Sequence, residues 1–261
     1  MSSQVLLLAR RQGAAIVTLN RPDRMNALSR ELLLALGRLR DEVLADSSLR
    51  AIVLTGAGEK AFCAGADLKE RQGMSMDDVR AQLGLYRSEL GWLDTSPLPV
   101  IAALNGVAFG GGLELALLCD LRVAAEHVSL GLPETGLGII PGAGGTQRLP
   151  RIVGEARAKE LILLGSRLPA ARALELGVIN RVTPVGKSVV DDTLEWIRPI
   201  LEGAPLAQAA ALAAIDSSFE VGLAEGLALE RVQYDECLRS EDRLEALRAF
   251  AAKEKPNFRG K

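Results

Sequence analysis

The chain has 261 residues, of which 48% are hydrophobic, and its 31 basic and 33 acidic residues give a formal net charge of −2. This composition excludes an intrinsically disordered chain and allows one large domain, or one domain with an appendage. The near-neutral balance and the 3% of aromatic residues disfavour nucleic acid as a partner, because phosphate binding needs clustered positive charge and single strands need aromatic platforms.

Cysteine, histidine and the N-terminal pattern narrow the class further. The three cysteines are widely spaced, which predicts neither a disulfide framework nor a zinc site. His127 is the single histidine, which disfavours a metal site with several imidazole ligands, so no metal is expected. No apolar stretch is long enough to span a membrane, and the apolar residues 5–9 precede Arg10 and Arg11, the wrong order for a secretory signal. These features predict a cytoplasmic protein.

Short apolar strands alternate with helical patterns along the first half of the chain. Residues 5–9 and 14–20 predict a β-hairpin, and Ser29 is the expected N-cap of a helix that reaches about residue 45. The other predicted elements are strands over 51–55, 100–104 and 120–124, helices over 77–93 and from the glycine cluster to about 119, and glycine-rich loops over 56–65 and 141–145. This order is typical of an α/β fold, in which ligands collect in the loops that follow strands.

From about residue 154 onward the pattern is mostly helical. Helices are predicted over 154–164, 169–176, 188–203, 205–217 and 221–251. Helices gathered at the C-terminus indicate a subdomain or an oligomer interface.

Two glycine-rich loops have the composition of an anion-binding site. Residues 64–67 and 110–112 expose backbone N–H groups with little side-chain bulk. Two such groups that converge on one oxygen form an oxyanion hole, in which each donor is typically worth about 2.7–4 kcal/mol in the transition state. Tight turns and close packing are the alternative explanation for the glycines. Neither loop has the Gly-Lys-Ser/Thr ending of a phosphate-binding loop, which argues against nucleotide hydrolysis.

Glu114 is the only charged residue in the apolar run from Gly106 to Cys119. An unpaired buried carboxylate costs several kcal/mol, so such a group is usually paired, hydrogen-bonded or used in chemistry. Glu134, which follows Pro133, is a second glutamate among apolar and glycine residues. Two carboxylates that face one cavity suit general acid–base catalysis, and their proximity raises the pKa of at least one. A surface turn at Glu134 is the alternative that spacing alone leaves open.

Several segments of the sequence resemble the enoyl-CoA hydratase/isomerase (crotonase) superfamily, and the likeness runs nearly end to end. The matching segments are 19–28 (LNRPDRMNAL), 61–68 (AFCAGADL), 105–116 (NGVAFGGGLELA), 141–150 (PGAGGTQRLP) and 254–258 (EKPNF). Within the superfamily the chain is most similar to the methylglutaconyl-CoA hydratases of leucine metabolism, notably over residues 112–125 (GLELALLCDLRVAA).

The resemblance implies an α/β fold built as a crotonase-like spiral of ββα units. Residues 1–200 would form the core with the active site, and residues 201–261 would form a helical oligomerisation region. The implied assembly is a homotrimer, or a homohexamer made of two trimers. The implied partner is an acyl-CoA thioester substrate; coenzyme A is part of that substrate, and no separate cofactor is expected.

Carried over position by position, the resemblance assigns roles to the glycine loops and to the two glutamates. The N–H groups of Ala66 and Gly111 would bind the thioester oxygen, and Glu114 and Glu134 would be the two catalytic residues. The positions expected to contact coenzyme A or the catalytic water are Arg24, Met25, Ala64, Asp67, Leu68 and Gly142.

The implied activity is hydration of the C2=C3 bond of a 2-enoyl-CoA thioester, or the reverse dehydration, with 3-methylglutaconyl-CoA as the expected substrate. Residues 69–95 diverge most from the family pattern and would shape the acyl pocket, where Lys69, Arg71 or Arg87 is hypothesised to meet a distal carboxylate. The alternatives are a short-chain enoyl-CoA hydratase, another crotonase reaction (isomerisation, decarboxylation or thioester hydrolysis), an RNA-binding protein and an inactive scaffold. The two intact glutamates favour hydration.

Overall fold

The computed structural model describes residues 4–261, which form two β-sheets surrounded by helices. The strands of this range are β1 (Leu6–Arg11), β2 (Ala14–Leu19), β3 (Ala51–Gly56), β4 (Ala61–Cys63), β5 (Val100–Leu104), β6 (Val107–Phe109), β7 (Leu121–Ala125), β8 (Ser129–Gly131), β9 (Leu168–Pro169) and β10 (Arg181–Thr183). The helices are α1 (Arg30–Leu44), α2 (Leu68–Arg71), α3 (Met76–Asp94), α4 (Gly111–Leu117), α5 (Gly145–Val153), α6 (Glu155–Leu163), α7 (Ala170–Glu175), α8 (Val189–Trp196), α9 (Arg198–Leu201), α10 (Pro205–Ser217), α11 (Leu223–Arg239) and α12 (Glu241–Ala252). Short 3₁₀ turns cover Pro22–Arg24 and Glu134–Leu137.

Consecutive strands of the chain are divided between the two sheets. The larger sheet has the order β1-β2-β3-β5-β7-β10, and the smaller has the order β4-β6-β8-β9. In the described chain the β1–β2 and β8–β9 pairs are antiparallel, and the other pairs are parallel. The strand pairs β3–β4, β5–β6 and β7–β8 each place one strand in each sheet before the chain enters a helix or turn. This repeat is the predicted spiral of ββα units, and the α/β fold class is confirmed.

The centre of the larger sheet is buried on both faces. Every residue of β3 and β5 is buried, as expected for parallel strands that are covered on both sides. One face belongs to the main core, which includes Leu32 and Leu36 of α1, and the other packs against Val189 and Leu194 of α8. In the smaller sheet, strands β4 and β6 end at the two glycine-rich loops of the sequence.

The N-terminal half follows the predicted elements closely. The β1–β2 hairpin forms, and α1 begins after Ser29, whose hydroxyl accepts a hydrogen bond from the Leu32 amide at 3.2 Å. Helix α3 and strand β5 end within one residue of their predicted limits. These elements are determined by contiguous residues, which is why local patterns suffice to locate them.

One predicted loop of this fold is wrong because it contains a strand, and one helix was not predicted. Residues 56–65 include β4, whose partner β6 lies more than forty positions further along the chain. Local sequence patterns carry no information on a pairing between such distant segments. The helix that was not predicted is α5, which begins at Gly145, the last glycine of the predicted loop over 141–145, and contains Pro150. Glycine and proline both disfavour a helix interior, so the sequence pattern concealed α5.

Two long predicted helices are each divided. The helix expected over 188–203 is interrupted at Ile197, between α8 and α9, because Pro199 in the first turn of α9 lacks the N–H that a continuous helix would use. The helix expected over 221–251 is divided at Ser240, whose hydroxyl accepts a hydrogen bond from the Arg243 amide at 3.1 Å and caps α12.

The C-terminal helices leave apolar side chains exposed in the single chain. No residue of α11 is buried, and Leu223 and Phe250 are 81% and 85% exposed. Exposed apolar faces mark interaction sites in many proteins. The oligomer and the boundary between residues 200 and 201 stay predictions. None of the helices in residues 4–261 has both the length and the apolar character needed to cross a bilayer.

Gly112 is expected to be intolerant of a side chain. A Cβ at this position would lie 2.0 Å from the Cys63 carbonyl oxygen, so Gly112→Ala must push α4 away from β4. We expect the free energy of unfolding to fall by about 1–3 kcal/mol, the usual range for overpacking. Gly84→Ala in α3 is the matched control, because its Cβ meets nothing within 4 Å; it should raise stability by about 0.5–1 kcal/mol. Urea unfolding measures both, and equal stability of the two variants would contradict this account.

Candidate active site

Two glycine loops lie in contact at the ends of β4 and β6. A Cβ built on Gly65 would be 2.7 Å from the Phe109 carbonyl oxygen and 3.2 Å from the Gly111 nitrogen, and the φ angle of Gly65 is +97°. Only glycine fits such a position. On the other side Leu28 holds the first loop, because its amide donates to the Gly65 carbonyl at 2.8 Å. The backbones of the two loops are therefore fixed side by side.

The N–H groups of Ala66 and Gly111 are unpaired within residues 4–261. Leu28 makes its backbone hydrogen bonds to Gly65 and Asp67, which flank Ala66 and leave the Ala66 amide unused. Gly111 is the first residue of α4, where N–H groups have no partner within the helix. A Cβ on Gly111 would lie 3.6 Å from the Ala66 nitrogen. Two unpaired donors this close together have the composition of an oxyanion hole.

Glu114 lies in the first turn of α4 and is only 3% exposed. Its Oε1 accepts hydrogen bonds from the amides of Ala143 and Gly145, both at 2.8 Å. Burial raises the pKa of Glu114, whereas these two amides and the positive charge of Arg148 oppose the rise. The loop before α5 therefore fixes one carboxylate oxygen, and Oε2 is the oxygen left for a ligand.

Glu134 begins the second 3₁₀ turn and is 8% exposed. Burial, with a further contribution from the negative charge of Glu114, raises the pKa of Glu134 to about 7. Its Oε2 is buried and has no hydrogen-bond partner in the described part of the chain. A carboxyl group that keeps its proton close to pH 7 and has an unused oxygen is suited to proton transfer.

Both glutamates line one cavity of about 570 Å³, a size typical of small-molecule sites. Ala66 and Gly111 line the same cavity. Its apolar side chains are Leu68, Val79, Leu83, Phe109, Pro133, Leu137, Ile139 and Ile140. The structure thus brings together four residues that the sequence places in three separate segments. Their catalytic roles remain proposals.

Three further predicted residues, Ala64, Leu68 and Gly142, also line the cavity. The Ala64 amide donates to the Met25 carbonyl at 3.0 Å, which ties the first glycine loop to the turn before α1. The Gly142 amide is near enough to Glu114 to lower the pKa of that carboxyl. Gly142 therefore lies beside the carboxylate where the catalytic water was predicted.

Arg24, Met25 and Asp67 lie outside the cavity lining. Arg24 is exposed, and Asp67 is buried with its carboxylate 2.8 Å from the Arg21 guanidinium. Asp67 also caps α2 by accepting hydrogen bonds from two backbone amides, both at 3.2 Å. The side chain of Asp67 therefore stabilises the loop that carries Ala66. Contact of these three residues with coenzyme A stays a prediction.

Tyr86 is a cavity residue that sequence reasoning missed. It lies on α3 and lines the cavity together with Val79 and Leu83, which precede it by seven and three positions. This spacing places the three side chains on one helical face, so the periodicity of α3 was the available signal. The burial of the Tyr86 hydroxyl, in contrast, depends on elements far away in the chain.

The fold and the site define a class of protein. It is an α/β protein of ββα units, in which two unpaired backbone donors and two buried glutamates face one largely apolar cavity. Such a cavity can stabilise an oxyanion and transfer protons.

Comparison with known proteins agrees with this class. The family model described as enoyl-CoA hydratase/isomerase matches residues 9–261. YngF of Bacillus subtilis (strain 168), named as an enoyl-CoA hydratase/isomerase, is 46% identical over 260 residues, covering 100% of both chains. The mitochondrial methylglutaconyl-CoA hydratase of Mus musculus is 41% identical over 252 residues, which are 95% of this chain and 80% of the mouse protein. The crystal structure of an enoyl-CoA hydratase from Bacillus anthracis superposes with a TM-score of 0.96 at 44% identity, covering 99% of this chain and 100% of that one.

The chain therefore belongs to the enoyl-CoA hydratase/isomerase (crotonase) superfamily, and it is a hydratase-type enzyme. The resemblance seen in the sequence is confirmed at this level.

Proposed function

We propose that this protein adds water to the C2=C3 bond of a 2-enoyl-CoA thioester and catalyses the reverse dehydration. The observation that carries the proposal is the presence of Glu114 and Glu134 in one cavity beside the unpaired amides of Ala66 and Gly111. In this reaction coenzyme A enters as part of the substrate, and no metal or redox cofactor has a role.

The two amides would stabilise the charge that develops on the thioester oxygen. As water adds to C3, the π electrons of the double bond move toward the carbonyl and give an enolate. Its oxygen accepts hydrogen bonds from Ala66 and Gly111, which are stronger to the enolate than to the neutral thioester. Because the contact strengthens in the transition state, it lowers the barrier and not only the substrate dissociation constant.

The two glutamates would divide the proton transfers. Glu114, held by two amides that favour its carboxylate, takes a proton from the water whose oxygen bonds to C3. Glu134, with a pKa of about 7, holds the proton that C2 receives when the thioester carbonyl re-forms. The cycle leaves Glu114 protonated and Glu134 ionised, and proton exchange with solvent restores the starting state.

Hydration and isomerisation differ in the number of carboxyl groups that they need. Isomerisation moves a proton between two carbons of one substrate, and one carboxyl group suffices for it. Hydration needs a base for water and an acid for C2 in the same active site. Two buried carboxyl groups in one cavity therefore favour hydration over isomerisation.

Within this class we propose 3-methylglutaconyl-CoA as the substrate, which gains water to give 3-hydroxy-3-methylglutaryl-CoA. The support is the likeness of residues 112–125 to methylglutaconyl-CoA hydratases and the 41% identity to the mouse enzyme of that name. A short-chain 2-enoyl-CoA is the alternative acyl group.

We further propose that the chain assembles as a homotrimer or a homohexamer through residues 201–261. The support is the apolar surface that α11 and α12 expose in the single chain, which association would remove from water.

A substrate screen tests the proposed activity. Purified enzyme is mixed with crotonyl-CoA, 2-hexenoyl-CoA or 3-methylglutaconyl-CoA, and loss of the conjugated enoyl-thioester absorbance is followed with mass detection of the 3-hydroxyacyl product. We expect hydration of at least one substrate without added metal or redox cofactor. If every enoyl-CoA is recovered unchanged, or is only isomerised or hydrolysed, the proposal fails.

The pH dependence of hydration should be bell-shaped. Above pH 7 Glu134, with its pKa of about 7, loses the proton that it must donate, so kcat/KM falls. On the acid side Glu114, whose pKa is raised by burial, takes up a proton and no longer acts as a base. Because Glu114 and Glu134 interact, the two apparent pKa values of the profile describe the pair and not either residue alone. Initial rates at constant ionic strength from about pH 5 to about pH 9 measure the profile; a rate that stays level through pH 7 would exclude Glu134 as the acid.

A further inference from the structure

One wall of the cavity has polar atoms that the proposed hydration does not use. Arg71, at the end of α2, and Tyr86, on α3, both line the cavity. The Arg71 Nε and the Tyr86 hydroxyl are buried, and neither has a hydrogen-bond partner among residues 4–261. Buried polar groups are nearly always hydrogen-bonded, so these two atoms need an acceptor, which a ligand in the cavity can supply.

The neighbouring acidic residue, Glu70, does not supply the missing hydrogen-bond acceptor. Glu70 accepts hydrogen bonds from the Arg30 amide at 3.0 Å and from the Gln82 side chain at 3.2 Å. Arg71 is also the only cationic residue in the lining of the cavity, as far as the described residues show. This wall therefore presents an available positive charge inside a mainly apolar space.

The wall lies close to the reacting end of the cavity. The pKa of Tyr86 is raised mainly by burial; the positive charge of Arg71 lowers it, and the negative charges of Glu114 and Glu70 raise it further. The Tyr86 hydroxyl is thus within electrostatic range of all three residues. Leu83, one turn earlier on α3, lies 2.9 Å from the position of a Cβ on Gly142, in the loop that holds Glu114. This wall therefore belongs to the same cavity as Glu114 and lies beside the loop that holds it.

A carboxylate matches the unused groups in charge and in hydrogen bonding. Its two oxygens accept from a guanidinium and from a phenol, and a guanidinium binds carboxylates with favourable planar geometry. A purely hydrocarbon acyl chain would displace water from this wall and leave the Arg71 and Tyr86 donors unsatisfied. The unused donors of Arg71 and Tyr86 therefore match a charged acyl end better than a neutral one.

We propose that Arg71 and Tyr86 bind a carboxylate at the far end of the acyl chain and make the enzyme selective for CoA thioesters of short unsaturated dicarboxylic acids. The inference rests on the proposed hydratase function and assigns its substrate class to two residues. Arg71 neutralises the carboxylate, and the Tyr86 hydroxyl donates to it. The thioester end remains at Ala66 and Gly111, so the substrate is held at both ends.

Lys69 and Arg87 provide matched controls. Lys69 lies on α2 with Arg71, and Arg87 is the residue after Tyr86 on α3. Both are exposed, and neither lines the cavity. Of the three cationic residues hypothesised from the sequence to meet a distal carboxylate, only Arg71 lines the cavity. Removing Lys69 or Arg87 changes the net charge by the same amount as removing Arg71, so these variants separate a local contact from a general charge effect.

The test compares kcat/KM for glutaconyl-CoA, whose chain ends in a carboxylate, with kcat/KM for 2-hexenoyl-CoA, a neutral chain of similar length. Arg71→Met should lower the glutaconyl-to-hexenoyl ratio by about 10- to 100-fold, the range for losing a hydrogen bond to a charged group. Arg71→Lys should lower it less, because the charge remains and the planar fork is lost. Tyr86→Phe should lower it about 5-fold. Lys69→Met and Arg87→Met should leave it within about twofold, as for exposed charges.

Inhibition of the wild-type enzyme supplies a measurement that needs no variant. The saturated analogue glutaryl-CoA should inhibit more strongly than hexanoyl-CoA; equal inhibition overturns the proposal even if Arg71→Met does not fold. An unchanged substrate ratio in folded Arg71→Met, or equal wild-type use of the two enoyl substrates, also overturns it while hydratase activity stands. Failure to hydrate any enoyl-CoA counts instead against the proposed function.

Discussion

Glu114→Gln should lower kcat for enoyl-CoA hydration by at least about 100-fold, the low end for a general base. The glutamine carbonyl oxygen can still accept the hydrogen bonds that Oε1 receives from Ala143 and Gly145, so the loop should keep its position. What the variant loses is the capacity to take a proton from water. Because that interaction exists only in the transition state, kcat and kcat/KM should fall together.

Steady-state kinetics with a folded variant check this expectation. Glu126→Gln is the control, since Glu126 is exposed at the end of β7, lies outside the cavity and carries the same charge. It should hydrate at the wild-type rate. If Glu114→Gln kept near-normal turnover, the base would have to be another group, and the proposed division of roles would be wrong.

Glu134→Gln should also lower kcat by at least about 100-fold, because an amide does not deliver its proton to carbon. The loss should be greatest at low pH, where Glu134 of the parent enzyme is protonated, and the fall of the parent rate above pH 7 should disappear from the residual activity. Activity near the parent level in Glu134→Gln would remove this residue from the mechanism.

Glu134→Gln should raise the stability of the protein at pH 8, although it lowers its activity. Burial raises the folded-state pKa of Glu134 from the ordinary 4.5 to about 7, so its contribution to stability is full below pH 4.5 and is lost as pH rises through 7. Glutamine does not ionise, so the variant should match the parent near pH 4.5 and exceed it at pH 8 by about 1–3 kcal/mol. Urea unfolding at the two pH values measures the difference. A variant that is less stable than the parent at pH 8 would indicate a structural role for Glu134.

Much of the candidate site could be predicted from short contiguous patterns. The glycine loops are visible as loops that follow strands, and Glu114 is conspicuous as the only charge of its apolar run. Helix α1 is marked by its Ser29 cap and its leucine spacing. Strand β4 and helix α5 were not predictable in this way, because one depends on pairing with a distant strand and the other on packing that overrides glycine and proline.

The sequence by itself determined the α/β class, because periodicity, capping and glycine clusters are properties of neighbouring residues. Its matching segments carry the superfamily resemblance, and that resemblance singles out the two glutamates. Only the tertiary structure decided that the Ala66 and Gly111 amides lie side by side with no partner in residues 4–261, and that the pKa of Glu134 is raised to about 7. It also decided that Arg71, and neither Lys69 nor Arg87, lies at the cavity. Whether an N–H group finds a partner, how deeply a side chain is buried and how close two charges lie all depend on distances between segments far apart in the chain. No local sequence pattern contains those distances.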